Sequence, residues 1–408
     1  MPDRPNPFRE LPPTAGLPLG WKDLLGAAVT RTPPDFARDA ARFLGVDDLL
    51  LTCSGTAALV VILTTLRRFS ARRQVVVPAY TCPLVAIAVA HCGLDPVLCD
   101  LAPGSLDLDP AALRRLCGAD TLAVVPTHLA GRVADVATAA AIARAAGAWV
   151  IEDAAQAFGA RTAAGIVGTD GDFGLFSLAV GKGLTLFEGG LLHVREPALR
   201  AEMRRTAQTL LPAAPWREAL RALQLAGYAA AYRPGLLPFA YGAGVRRSLR
   251  RGDPVAAAGD AFSRDIPLHR VGAWRQRVGR SAIRRLGTFL DAAAERAHRR
   301  VERLRAVTGL HVFGDGPGGR GVWPFLLVRM PDRAARDRAL AVLWPAGLGV
   351  SRLFVHALPG YGFLRGLVPQ EAVPNAASLA DTTLTIGNSP WMSEQDFAAI
   401  CGRLERAL

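Results

Sequence analysis

At 408 residues, with 50% hydrophobic and 20% charged content, the chain can bury one large core plus a smaller domain, which excludes disorder as its default state. A net charge of +13 suits anionic partners, but the arginines are spread along helical stretches without a nucleic-acid-binding motif; nucleic acid is excluded and the charge reads first as solubility. Six cysteines without a C-x-x-C pair or metal-ligand spacing, an amino terminus without an apolar signal core, and no apolar run of about 20 residues together point to a reducing cytoplasm and no metal.

Residues 1 to about 20 are proline-rich and are expected to form an extended arm or a cap on the body. GWKDLLGAAVT and PPDFARDAARFLG read as short helices, and nothing in them carries chemistry. Leu49 to Cys53 reads as a strand, and Ser54-Gly55-Thr56 separates it from an apolar helix, AALVVILTTLRRF. A small-residue turn at a helix amino terminus offers free N–H groups and hydroxyls to an anion. Taken alone, the turn is ordinary capping by Ser54.

QVVVPAYTCPLVAIAVAHCGLDPVLCDLAPGSLDLDPAAL reads as strand, loop, helix, strand, loop and helix start, the rhythm of a parallel sheet with right-handed crossovers. Leu122 to Thr127 is another strand, leading to His128-Leu129-Ala130-Gly131. By itself His128 reads as a hydrogen-bonded core histidine. Asp135 to Ala146 forms the next helix, with Gly147 as its stop.

Trp149 to Gly190 is the stretch on which the chemistry turns. AWVIED is an apolar run that delivers Asp153 at the carboxyl end of a buried strand, and Phe173 to Val180 is a second one that ends in Gly181-Lys182-Gly183. Open α/β sheets place their chemistry at such strand ends. Lys22 and Lys182 are the only lysines, against 46 arginines. Arginine stays protonated, whereas a desolvated lysine can lose its proton and attack a carbonyl to form a Schiff base. A pyridoxal phosphate site needs an amine, a carboxylate for the ring nitrogen and a place for the phosphate. Lys182 and Asp153 supply the first two from neighbouring strand ends.

Several motifs coincide along this part of the chain: SGTAAL, P-x-x-T ending at Thr81, a G-x-x-P-V turn into Asp100, L-D-L-D-P, H-L-x-G, EDAAQAFGA, GDFGLFS with a serine five residues before the lysine, and E-G-G after it. Together they resemble the DegT/DnrJ/EryC1/StrS family of fold-type I, pyridoxal-phosphate-dependent aminotransferases, often called sugar aminotransferases. The resemblance implies that Lys182 joins the cofactor and moves the proton, and that Asp153 holds the pyridinium nitrogen. It further implies that Gln156 reaches the ring hydroxyl, and that Gly55, Thr56, Ser177 and, less directly, Ser54 contact the phosphate. The family usually has an aromatic residue after Thr81, stacked on the ring, and this chain has Cys82. Packing for the ring is then expected from Tyr80 or Phe158 instead, or to be weaker, with the ring less rigidly held. Tyr80, His128, His356 and Tyr361 are the substrate-facing candidates that the resemblance suggests.

Beyond about Arg200 the resemblance thins. The family's G-x-N-x-R pattern, whose asparagine reaches the neighbouring subunit's phosphate, has no counterpart. In its place stands an apolar insertion at about 205–255, with Trp216, Leu220 and Leu223 at helical spacing and a basic run, RRSLRRGD. It reads as a helical hairpin packed on the body or on a partner subunit. A second reading, peripheral contact with an anionic membrane through about 210–251, stays open. Phe262 to Ala306 reads as a long arginine-rich helical region linking two domains, its arginines forming a solvated face. A glycine-rich turn and strand, a helix, GVSRLFVHALPGYG and a capping helix close the chain.

The expected architecture is α/β: a fold-type I transferase with a large, mainly parallel sheet and a smaller carboxyl-terminal α/β domain. Its divisions are 1–48 arm and short helices, 49–260 cofactor-binding domain, and 261–408 linking helix and small domain. The resemblance implies a homodimeric aminotransferase that takes an amino group from a small donor, commonly glutamate. The acceptor is a ketone, such as a nucleotide-linked keto-deoxysugar or related cyclic ketone in natural-product or surface-glycan synthesis. One alternative keeps pyridoxal phosphate with a lipid-linked or unusual substrate, or with non-transaminase chemistry. The other is a catalytically silent regulatory or binding protein of the same fold.

Overall fold

Apolar runs punctuated by glycine and proline become the strands of a seven-stranded sheet in the computed structural model, which describes residues 8–163, 165–316 and 318–408. The start of the proline-rich arm, residues 1–7, lies outside the described residues. The strands are β1 Leu50–Thr52, β2 Gln74–Pro78, β3 Asp95–Cys99, β4 Thr121–Val124, β5 Trp149–Asp153, β6 Phe173–Ser177 and β7 Gly190–Val194. Their order is β1-β7-β6-β5-β4-β2-β3, parallel from β3 to β6, with β7 antiparallel to both β6 and β1. Parallel neighbours need crossovers, and helices Pro83–His91, Pro110–Leu116 and Val136–Ala145 supply them. Every residue of β4, β6 and β7 is buried, which is why these strands read as apolar runs rather than alternating ones. The expected mainly parallel α/β architecture is the one observed.

A second sheet is antiparallel throughout, with β8 His311–Val312, β9 Phe325–Arg329, β10 Val350–Ser351 and β11 Thr383–Gly387 in the order β10-β11-β9-β8. Its core includes Leu326, Val328, Leu384, Ile386 and Phe397. Helix Leu286–Arg305 serves both cores: Leu286 and Leu290 pack into the large one, Ala297, Val301 and Leu304 into the small one. The long helical region expected over 262–306 is two helices, Ala273–Ala282 and Leu286–Arg305, preceded by a non-helical run through Pro267 and Gly272.

Its arginines do not all form a solvated face. Arg300 is buried and donates to Asn388 Oδ1 at 3.1 Å and the Met392 carbonyl at 2.8 Å. Arg275 is fully buried; it donates to both Glu218 oxygens, at 2.8 and 2.5 Å, to the Leu186 carbonyl at 3.1 Å and to the Glu188 carbonyl. Glu218 stands on the inserted helix Pro215–Ala231, so this guanidinium fork clamps the insertion to the loop that follows Lys182. Removing one member of such a pair strands the other charge. Arg275→Met is therefore expected to cost about 3–5 kcal/mol of stability in urea unfolding, and a loss under about 1 kcal/mol would show that the clamp carries little weight.

The insertion is helical, as its pattern predicts: Pro215–Ala231 and Ala243–Arg250, with a short π-helical turn, Pro238–Gly242, before the second. Leu225, Tyr228 and Ala229 face inward, while Trp216, Leu220 and Leu223 face outward. Among the described residues no helix is long and apolar enough to cross a membrane. The amino-terminal arm runs extended across both sheets. Leu11 N donates to the Gly347 carbonyl at 2.8 Å, Ala15 N to Pro324 at 2.6 Å, and Leu17 N to Gly183 at 2.8 Å.

Candidate active site

The carboxyl ends of the parallel strands open on one cavity of about 530 Å³. All eight residues expected at the catalytic and cofactor positions line it. β5 ends at Asp153, β6 ends at Ser177, and β1 runs into the turn before helix Gly55–Leu66. This convergence follows from the strand order. β5 and β6 are neighbours, and β7 and β1 lie beyond β6, so residues more than a hundred positions apart share one cavity wall.

Lys182 sits on the loop after β6. The turn before it is left-handed, with Gly181 at φ 83°, and a Cβ there would lie 2.6 Å from Thr14 Oγ1 of the arm. Glycine meets both demands. Burial lowers the amine's pKa, and the Asp153 carboxylate partly counters that. A lowered lysine holds its lone pair available nearer neutral pH, as a nucleophile for a carbonyl requires.

Asp153 is 4% exposed and one of its oxygens accepts the Ala155 N–H at 3.0 Å. Burial raises its pKa, while the Ala155 amide and the charge of Lys182 pull it back. A carboxylate in this position favours a cationic partner that arrives carrying its own proton. Gln156 lines the cavity with its Oε1 already accepting the Ala130 N–H at 2.8 Å.

An anion cradle lies at the twelve-residue helix Gly55–Leu66. Ser54 Oγ accepts the Ala57 N–H at 2.9 Å, so this side chain does cap the helix, as the turn alone suggests. Thr56 and Ser177 stand beside it on the cavity wall. β7 presses against the turn from behind: a Cβ on Gly190 would collide with the Ser54 carbonyl and Gly55 N, so only glycine allows that approach. Thr81 Oγ1 is buried on the same wall without a hydrogen-bond partner among the described residues. An amine, a buried carboxylate, a helix amino terminus with hydroxyls and this orphaned hydroxyl fit pyridoxal phosphate.

Of the two rings expected to pack against the cofactor, neither lines the cavity, which leaves the expectation of a less rigidly held ring standing. Tyr80 is buried outside the cavity lining, its hydroxyl donating to the Phe354 carbonyl at 3.2 Å, and Phe158 packs edge-on against Phe176 at 5.5 Å. Neither reaches the cavity, because both are used as core. Cys82 does line it; burial pushes its thiol up to about 12, so it stands there as a neutral group.

The substrate-facing candidates also fall outside. His128 Nδ1 accepts the Ala134 N–H at 3.0 Å, which leaves Nε2 to donate to Glu152 at 3.1 Å: a satisfied core histidine. Tyr361 is buried and gives its hydroxyl to Asp260 at 2.8 Å. His356 lines a different cavity, its ring edge-on to Tyr361 at 5.3 Å. Tyr80 is committed to Phe354, as above.

Other side chains build the outer wall: Tyr232 and Tyr241 of the insertion, Phe262, Phe354, and Thr14 of the arm. Tyr232 stacks on Tyr228 at 4.6 Å, and its hydroxyl lies 3.4 Å from Thr14 Oγ1. Tyrosine in an alanine-rich insertion was the available signal for the first two; nothing local marks the arm.

Comparison with known proteins gives the following. The family model described as the DegT/DnrJ/EryC1/StrS aminotransferase family matches residues 22–223. GDP-perosamine synthase of Caulobacter vibrioides is 34% identical over 178 residues, 44% of this chain and 48% of that protein. L-glutamine:2-deoxy-scyllo-inosose aminotransferase of Micromonospora echinospora is 40% identical over 183 residues, 44% of this chain and 43% of that protein. The match thus spans about half the length of these relatives. Among solved structures, DesI in the presence of its TDP-sugar product aligns at TM-score 0.75 and 19% identity, covering 98% of this chain and 93% of that one. 3-Amino-5-hydroxybenzoic acid synthase aligns at TM-score 0.69 and 22% identity, covering 91% and 89%. At these identities the structural likeness speaks for the fold.

Proposed function

We propose that this chain, which belongs to the DegT/DnrJ/EryC1/StrS aminotransferase family through residues 22–223, is a pyridoxal-phosphate-dependent aminotransferase acting on a cyclic ketone. The observation that carries the reading is that Lys182 and Asp153 line one cavity, together with the amino-terminal turn of helix Gly55–Leu66. When bound, pyridoxal phosphate supplies an aldehyde and a ring that withdraws electrons from the adjoining carbon. Lys182 would attack that aldehyde and, once released by the substrate amine, carry the proton to and from the substrate carbon. Asp153 would keep the ring nitrogen protonated. Gly55, Thr56 and Ser177 would hold the phosphate, with Ser54 capping the helix beneath it, and Gln156 would face the ring hydroxyl.

The relatives' names, a GDP-perosamine synthase and an L-glutamine:2-deoxy-scyllo-inosose aminotransferase, support a nucleotide-linked keto-sugar or a related ring ketone as acceptor. They also widen the donor from glutamate to glutamine. A homodimer is part of the proposal, supported by apolar residues exposed at helical spacing: Trp21, Leu25 and Val29 on one helix, Trp216, Leu220 and Leu223 on another. So is a cytoplasmic location. Exposed Leu236 and Phe239 near the arginines of helix Ala243–Arg250 keep peripheral membrane contact as the second reading of that surface.

Incubation of the purified holoprotein with L-glutamine or L-glutamate is expected to bleach the visible absorbance of bound cofactor. One keto acid should be released per site. If neither these nor any other amino acid did so, transamination would be overturned.

A further inference from the structure

Behind the segment that walls the active cavity lies a second cavity, of about 450 Å³. Ser351, Leu353 and Phe354 line the first, and Arg352 between them lines both. Arg352 Nη2 donates to the Val355 carbonyl at 2.7 Å and the Ala380 carbonyl at 2.6 Å. Arg336, 2% exposed, donates its Nη1 to the same Ala380 carbonyl at 3.2 Å. Two guanidinium groups thus meet on one oxygen in the last turn of helix Pro374–Thr382. A helix end welcomes a basic group on its free carbonyls, but one arginine meets that need.

The second charge is weakly compensated. Burial and the neighbouring charge of Arg336 bring Arg352 down to about 10. Asp337, 56% exposed, and Asp381, 44% exposed, line the cavity where solvent screens their attraction, and the buried Asp260, which also feels the Arg352 charge, is already engaged by the Val355 N–H at 2.7 Å and the Tyr361 hydroxyl at 2.8 Å. Asp337 Oδ1 lies 2.8 Å from Arg336 Nε without the alignment of a hydrogen bond, and Arg333 lies 3.7 and 3.8 Å from the two aspartates. Arg352 Nε and the indole Nε1 of Trp344, a residue only 6% exposed, are buried donors without a partner among the described residues. Leu249, Pro254 and Leu340 add apolar side chains to the lining.

We propose that this cavity binds a small molecule carrying a phosphate or carboxylate on an apolar body, and that its occupancy is coupled to the active cavity through residues 351–355. The anion would engage Arg352 and Arg336, with Trp344 as a further donor and the ligand's body against Leu249 and Pro254. Holding Arg352 holds the backbone on which Ser351, Leu353 and Phe354 present themselves to the active cavity. Coupling of this kind is reciprocal, so a ligand in either cavity alters affinity in the other.

The test is calorimetric titration of the holoprotein, its cofactor in place, with phenyl phosphate, benzoate and inorganic phosphate. Saturable binding is expected for at least one of the two aromatic anions, with inorganic phosphate weaker than phenyl phosphate. Arg352→Gln is expected to weaken it by about tenfold or more. The exposed Arg333→Gln, which leaves the core untouched, should weaken it severalfold, and Trp344→Phe should remove the accompanying quench of tryptophan fluorescence. No saturable binding, or binding unchanged in both arginine variants, would overturn the site. Binding that leaves the donor's half-saturating concentration in the half-reaction unaltered would overturn the coupling. The binding readout does not depend on amino transfer, so its failure is separate from failure of the proposed function.

Discussion

Lys182→Ala is expected to lower the donor half-reaction by about 10⁴-fold or more, because one substitution removes both the nucleophile and the proton carrier. The cavity has no substitute. Lys22, the remaining lysine, is exposed on helix Trp21–Val29, and Lys182 is the sole lysine of the cavity wall among the described residues. Lys182→Arg should not rescue the rate, since a guanidinium stays protonated even where burial lowers an amine. Borohydride treatment followed by peptide mapping is the second measurement: wild-type protein should carry a pyridoxyl group on Lys182 and the alanine variant none. An alanine variant retaining more than a tenth of the wild-type rate would remove the lysine from the chemistry.

The second large effect is expected from Asp153→Asn, about 10³-fold in the same half-reaction, the scale on which a preorganised charge acts in a water-excluded site. The amide is nearly isosteric and can still accept the Ala155 N–H, so the fold should persist. What it loses is the negative charge that would hold a proton on the ring nitrogen. Stability should move the other way. Burial already raises the Asp153 pKa, so the ionised carboxylate costs the protein something before any partner arrives. Unfolding of the cofactor-free asparagine variant should therefore occur at the wild-type temperature or slightly above it. A full rate in the variant would show that the ring nitrogen is not held at β5; a lower melting temperature would show that the carboxylate serves the fold instead.

Much of the site was readable along the chain because its parts are local. A buried parallel strand is an apolar run, and it ends where a polar residue such as Asp153 or Ser177 appears. Helix Gly55–Leu66 announces itself by Ser54 before it and an apolar stretch after it. The scarcity of lysine made Lys182 conspicuous. Errors came where side-chain direction mattered. Tyr80 and Cys82 are two residues apart in one turn, yet one packs under Phe354 and the other faces the cavity. The H-L-x-G motif suggests a substrate-facing His128, whereas Glu152, 24 residues on, engages its ring as it would a core histidine's.

Arginine shows the limit most plainly. Helices Ala273–Ala282 and Leu286–Arg305 read as basic, solvated surfaces, but Arg275 and Arg300 are buried because Glu218, Asn388 and three backbone carbonyls distant along the chain converge on them. The arm is similar: nothing near Thr14 predicts that it meets Lys182's turn and Tyr232.

The order of residues alone determined the alternation of strands and helices, the turn before helix Gly55–Leu66, and the placing of Asp153 and Lys182 after neighbouring apolar runs, since hydrophobic period, capping and glycine tolerance act within a few residues. Only the tertiary structure decided which guanidinium groups are buried, which aromatic rings wall the cavity, and that Arg352 stands between two cavities. Those outcomes depend on partners brought together by strand order and domain packing, and the free energy of placing a charge or a ring is set by its neighbours in space.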